Sequence, residues 1–204
     1  RSLDYLMTST QTAYIPGRQI TDNLRMIKLI QERVEQIETD GIITSWDLQK
    51  AFDNLGHKYM RATLRAYGFS NEFIGTVIML YKEIVANILV NGYKTAMFKI
   101  LRSVKQGDAL SCVLFILCID PLLRKMEANQ QIEPVDIRVN DCKFTQKTGG
   151  YADDIFAITR DKESCVAAII EEYNKFTKVA GIKLNTDKTE ILRLGKEGRK
   201  KKVY

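Results

Sequence analysis

From Val113 to Ile119 seven consecutive residues carry no polar side chain, inside a segment from Asp108 to Asn129 whose spacing reads as a helix. A helix apolar nearly all round is a buried one, so the rest of the chain has to pack around it. Pro121, in the same segment, is expected to kink or divide it. The run is soon followed by Asp120, Pro121 and Arg124, far short of the ~20 apolar residues of a membrane span. With 45% hydrophobic and 27% charged residues in 204, the chain has the balance of a packed soluble domain, one large or two small. A net charge of +6 and a pI near 9.1 favour acidic partners, nucleic acid among them, without demanding them.

The four cysteines, Cys112, Cys118, Cys142 and Cys165, form no C-x-x-C pair, and His57 is the only histidine, so the usual zinc spacings are absent. Structural thiols in a reducing compartment are the expectation. No signal peptide is evident, and a start at Arg1 without Met reads as a fragment of something longer.

Pro16-Gly17 marks a turn, after which Asp22 is expected to cap a helix over 23–37 with Leu24, Ile27, Ile30, Val34 and Ile37 as its apolar stripe. The run from Ile42 to Asp47 reads as a buried strand ending on a carboxylate. Helices are expected over 57–66 and 71–85, separated by Gly68. Asn91-Gly92 between β-formers signals a hairpin, with its second strand over 94–100. Two or three short strands are expected over 137–159. A helix over 162–179 should be capped by Gly181, with a last pair of strands over 182–185 and 189–194. Strands and helices in mixed order give an α+β fold.

Asp47 and the pair Asp153-Asp154 each follow or interrupt a hydrophobic strand, where an unpaired carboxylate is costly. Taken singly, each reads as a turn residue or a helix N-cap. Brought together they would repel one another, and a divalent cation is the common remedy. Such strand ends would suit two Mg²⁺ ions, one activating an attacking hydroxyl and one holding a triphosphate.

The surrounding residues carry a resemblance. Asp47-Leu48-Gln49-Lys50-Ala51-Phe52-Asp53 is similar to the D-x-x-x-A-F-D palm motif of reverse transcriptases. Gln106-Gly107-Asp108-Ala109-Leu110-Ser111 resembles their Q-G-D-P-L-S, Tyr151-Ala152-Asp153-Asp154 their Y-A-D-D, and Gly181-Ile182-Lys183-Leu184-Asn185 with Lys188 their G-x-x-L-N-x-x-K-[ST]. Residues 16–23, Pro-Gly-Arg-Gln-Ile-Thr-Asp-Asn, resemble a fingers segment of non-LTR (LINE-type) retrotransposon enzymes. Five motifs in family order cover roughly 11–192. The departures are Ala109 and Cys112, where the family has Pro.

The resemblance implies an antiparallel palm sheet backed by helices, with part of the fingers. Residues 1–41 would be the fingers segment, 42–194 the palm with a helical insertion near 57–86, and 195–204 a basic tail or truncated linker. It implies an RNA-directed DNA polymerase that joins dNTPs to a DNA primer 3′-hydroxyl on an RNA template, with two Mg²⁺ ions or Mn²⁺ in their place. Asp47, Asp153 and Asp154 would be the catalytic, metal-holding carboxylates. Backbone amides of Leu48, Gln49, Lys50 and Ala51 would cradle phosphates.

Phe52 falls where the family places a gate against the 2′-hydroxyl, and it reads equally as a core residue. Gln106 and Gly107 match the loop beneath the incoming base pair, or a turn before a helix. Lys188 matches a proton donor to pyrophosphate, or a surface lysine. Asp53 reads as a carboxylate supporting the site from behind or as a helix cap, with the cap favoured. Arg18 and Asn23, with Asp22, either contact template or fix the fingers turn, and Tyr151 is placed near nucleic acid. The upstream fingers hairpin, thumb and any endonuclease lie outside the chain, so the isolated fragment is expected to be inactive. No membrane partner is implied. The expected location is the nucleus, at the site of integration, with assembly in the cytoplasm. A group II intron or retron-type enzyme and a non-catalytic nucleic-acid-binding relic are the competing readings.

Overall fold

Gly41 opens the strand that organises the chain, because the residues after it serve two apolar faces at once. The computed structural model describes residues 3–105, 107–139 and 142–195. In chain order its elements are α1 (Leu3–Leu6), α2 (Ile20–Gln36), β1 (Gly41–Gln49), α3 (Ala51–Asn54), α4 (His57–Ala66), α5 (Asn71–Leu80), β2 (Val85–Ala86), β3 (Leu89–Val90) and β4 (Tyr93–Lys94). These are followed by β5 (Phe98–Lys99), α6 (Ala109–Ala128), β6 (Arg138–Val139), β7 (Cys142–Lys143), β8 (Thr148–Tyr151), β9 (Asp154–Thr159), α7 (Glu163–Ala180) and β10 (Lys183–Leu194).

The main sheet is antiparallel in the order β10-β1-β9-β8, so β1 is interior and paired along both edges. Trp46 and Leu48 join the core built by α6 and α7, while Ile43 meets Ile30, Val34, Val135, Ile137 and Ile158 on the other side. That double cover is why 42–44 are buried without alternation. Trp46 stacks on Tyr173 with centroids 5.4 Å apart, and its indole N–H donates to Thr44 Oγ1 at 2.7 Å.

The apolar segment forms α6, capped by Asp108, whose carboxylate accepts the Leu110 N–H at 3.0 Å. Pro121 does not divide the helix, which runs unbroken from Ala109 to Ala128. Burial of Leu114, Phe115, Leu117 and Leu122 offsets the ~3 kcal/mol of an internal proline. Other expectations also shift. Helix α2 begins earlier, with Gln19 as its N-cap; Asp22 is instead the third helical residue, accepting the Gln19 N–H at 2.8 Å as in a capping box. Its inner stripe runs through Asn23, Ile30 and Val34, which turns Leu24 and Ile37 outward. Helix α5 stops at Leu80, because Ile84 to Ala86 bond to the segment 98–100 instead.

Asn91 and Gly92 both have positive φ, as a tight β3–β4 hairpin requires. The described residues of 137–159 hold four strands, two of them only two residues long. The expected last pair of strands is one element, β10. Its register against β1 jumps from Ser45↔Glu190 to Asp47↔Asn185, so 186–189 bulge opposite Trp46 alone. Helix α7 ends on Gly181 at φ +82, as its sequence demands. No helix among the described residues is long and apolar enough to cross a membrane. Cys112, Cys118 and Cys165 are free thiols.

Candidate active site

Strands β8 and β9 are joined by Ala152 and Asp153, with Tyr151 paired to Asp154 across the turn. Ala152 has φ +58 and Asp153 has none of the positive φ values, the pattern of a type II′ turn in which glycine is usual at the first central position. On β1, Trp46 pairs with Ile155. The β1–β9 pairing ends there, so Asp47 and Asp154 each lie one residue past it at the same end of the sheet, with Asp153 next to Asp154 in the turn. Asp47 and Asp153 are half-buried and Asp154 is exposed.

Asn185, paired with Asp47 across β10, donates its amide N–H to Asp47 Oδ2 at 2.8 Å. Burial is the main cause that raises the Asp153 pKa above the usual carboxylate range, and the negative charges of Asp154 and Asp47 add to it against a lowering backbone hydrogen bond. The three carboxylates thus share one end of the sheet. Among the described residues, however, no three His, Cys, Asp or Glu side chains converge into a group ready to hold a metal ion. The donor chemistry fits a hard divalent cation: oxygen ligands only, with negative charge accumulated in a partly desolvated place.

A strap from the N-terminal segment braces the β8–β9 hairpin. Gly150 donates its N–H to Thr10 O at 2.8 Å, and its carbonyl accepts the Thr12 N–H at 3.0 Å, Thr12 Oγ1 at 3.1 Å and Asn23 Nδ2 at 3.0 Å. Gln11 is fully buried; its Oε1 accepts the N–H groups of Ala13 and Ala152, each at 3.0 Å, and its Nε2 donates to Ala152 O at 3.4 Å. Tyr14, at φ +57, has its hydroxyl held above the usual pKa by a hydrogen bond with Cys112, by burial and by the neighbouring Tyr151 and Asp153.

The other residues singled out in the sequence fall as follows. Leu48 and Ala51 bury their side chains, and Gln49 and Lys50 are exposed. The β10 ladder ends at Gln49, so the amides of Lys50 and Ala51 lie beyond it. Lys50, at φ +45, precedes α3, and Asn54 Nδ2 donates to Gln49 O at 2.8 Å. Phe52 is half-buried and stacks on Phe115, with centroids 4.2 Å apart and planes 13° apart. Asp53 is exposed inside α3 rather than at its N-cap, which is Lys50.

Gln106 lies outside the described residues. Gly107 has a φ of +84, a conformation that favours glycine, and open space where a Cβ would stand. Tyr151 is half-buried, and Lys188 is exposed in the β10 bulge. Arg18 is engaged within the chain, with the carbonyls of Thr8 and Gln11 and with Asp4 at 2.6 Å. Asn23 is interior. Sequence reasoning gave no role to Gln11, Thr12 or Asn185. Asn185 stood inside a quoted motif, whereas the strap reaches the hairpin across 138 to 141 residues, a distance no local pattern spans.

Residues 2–203 match the family described as reverse transcriptase (RNA-dependent DNA polymerase). The chain belongs to the reverse transcriptase family. Among its relatives is the retrovirus-related Pol polyprotein from type-2 retrotransposable element R2DM of Drosophila melanogaster, 31% identical over 87% of this chain and 16% of that one. The transposon TX1 149 kDa protein of Xenopus laevis is 32% identical over 74% and 11%. An R2 Pol polyprotein of Bradysia coprophila is 26% identical over 98% and 22%. The chain therefore spans between 11% and 22% of these relatives' lengths. Apo telomerase from Candida tropicalis shares the fold, with a TM-score of 0.65 at 12% identity over 93% of this chain and 34% of that one. A Candida albicans telomerase in complex with a fragment of telomeric RNA scores 0.61 at 12% identity over 85% and 30%. An α+β reverse-transcriptase fold is thus the one this chain adopts.

Proposed function

We propose that this chain is the polymerase core of a non-LTR retrotransposon reverse transcriptase, copying an RNA template from a DNA primer 3′ end with dNTPs. The observation that carries the reading is that Asp47 on β1 and Asp153-Asp154 at the neighbouring hairpin lie at one end of the sheet, with Asn185 hydrogen-bonded to Asp47. Asp47 and Asp153, with Asp154 at the rim, would hold two Mg²⁺ ions, which supply charge neutralisation and activation of the primer hydroxyl. Asn185 orients Asp47 through its Oδ2. The backbone amides at Lys50 and Ala51, past the end of the ladder, would receive phosphates, and Phe52 follows them. The R2 and TX1 relatives support the non-LTR assignment. In this reading 1–41 belong to the fingers and 42–194 to the palm, and the enzyme works in the nucleus at the site of integration.

The test is primer extension by the full-length polymerase on an RNA template. Wild type should require Mg²⁺, with Mn²⁺ able to replace it. Asp153→Asn and Asp47→Asn should each abolish incorporation while leaving the circular dichroism spectrum and template binding intact. Undiminished extension by Asp153→Asn would overturn the reading.

A further inference from the structure

The turn that carries Asp153 has alanine at φ +58, a conformation L-residues rarely adopt and one that persists only where the surroundings impose it. Gln11 supplies that imposition. Its side-chain amide is fully buried and engages both the N–H and the carbonyl of Ala152, as a neighbouring strand would. The approach is close: Gln11 bridges to Gly150, where an added Cβ would meet Gln11 Nε2 at 3.3 Å and Leu123 Cδ1 at 3.4 Å. Thr12 and Asn23 fasten the Gly150 carbonyl alongside, so the grip on Ala152 acts from a fixed base.

We propose that Gln11 is a positioning residue for Asp153: by clamping both polar groups of Ala152 it holds the hairpin turn in the conformation that sets the Asp153 carboxylate beside Asp47. The inference rests on the polymerase reading above. A buried glutamine that merely satisfies its own hydrogen bonds would affect stability alone. One that positions a carboxylate affects the chemical step, because a small misplacement of a catalytic group is costly in rate.

The experiment uses the full-length polymerase with Gln11→Leu, which keeps the bulk and removes the three hydrogen bonds, and with Gln11→Met in case the leucine variant does not accumulate folded. Amide hydrogen exchange over 150–154 reads the clamp directly. Equilibrium Mn²⁺ binding by electron paramagnetic resonance reads the carboxylates, and single-nucleotide incorporation gives kcat and KM. Loss of the clamp should speed exchange at Ala152 and Asp153 and weaken Mn²⁺ binding. The value of kcat should fall about 10- to 100-fold while the dNTP KM moves little.

Adding Ala152→Gly, which relieves the positive φ, should return a large part of the lost kcat in the Gln11→Leu background. A kcat within twofold of wild type despite fast exchange overturns the proposal. So does a loss that Ala152→Gly leaves untouched. Asp153→Asn runs in parallel: if it still polymerises, the polymerase reading has failed. If it is dead while Gln11→Leu is unimpaired, only the role of Gln11 has failed.

Discussion

Phe52 occupies a position where one ring can serve two purposes, and Phe52→Val separates them. One face of the ring lies against Phe115, 4.2 Å away and nearly parallel, and the side chain is only half-buried. The substitution removes about four carbons; at ~0.8 kcal/mol for each fully buried methylene, halved for partial burial, the loss is about 1.5 kcal/mol. The lost aromatic pair adds ~0.5–1.5 kcal/mol. A total of roughly 2 to 3 kcal/mol lowers Tm by about 4 to 12 °C in a chain of this size. If the open side of the ring also excludes a 2′-hydroxyl, the ratio of kcat/KM for dNTP over rNTP should fall at least about tenfold, with dNTP incorporation largely retained. The assay is single-nucleotide insertion by the full-length enzyme, alongside thermal melting. A lowered Tm with a ratio unchanged within twofold would make the ring purely a packing element and refute the gate.

Asn185→Leu should lower kcat by about tenfold or more with little change in Tm, because Asp47 loses the donor that orients it; steady-state kinetics decide this. Asp153→Asn should stabilise the fold at neutral pH. A carboxyl whose pKa is raised by burial is penalised when ionised, so the wild-type deficit is complete above its folded pKa and vanishes below the unfolded value of about 3.9. The Tm difference between variant and wild type should therefore shrink as pH falls through the acid range, and a constant difference would contradict it. Asp120→Ala should destabilise by about 3 kcal/mol in urea titration. This fully buried carboxylate accepts from the Thr8 N–H at 2.8 Å, from Tyr67 and from Arg124, and its loss strands those donors; the half exposure of Arg124 keeps the cost at the low end.

What the sequence made legible followed from local physics. Strand β1, helices α4 and α7, the Gly181 cap and the Asn91-Gly92 turn each have their determinants within a few residues, although β1 runs on to Gln49 through its pairing with β10 and so leaves Asp47 inside the strand rather than at its end. Legibility failed where a distant partner decided the outcome. Asn23 turned inward because Gly150 offers it a carbonyl, and Leu24 turned outward as a result. Pro121 stayed helical because the core around α6 outweighs its penalty. The strap is the extreme case: Gln11 and Thr12 carry no pattern, and their role exists only once 138 to 141 further residues have folded beside them.

The interior place of β1 also sets a timetable. Its Asp47 meets Asn185 of β10 across 138 residues of chain. During synthesis at ~5–20 residues per second, that interval lasts roughly 7 to 28 s. For this time Ile42, Ile43 and Trp46 are on a strand without its β10 edge partner, an opening for mispairing or for a chaperone. Because Asn185 arrives with that strand, Asp47 gains the amide that orients it only once β10 has paired.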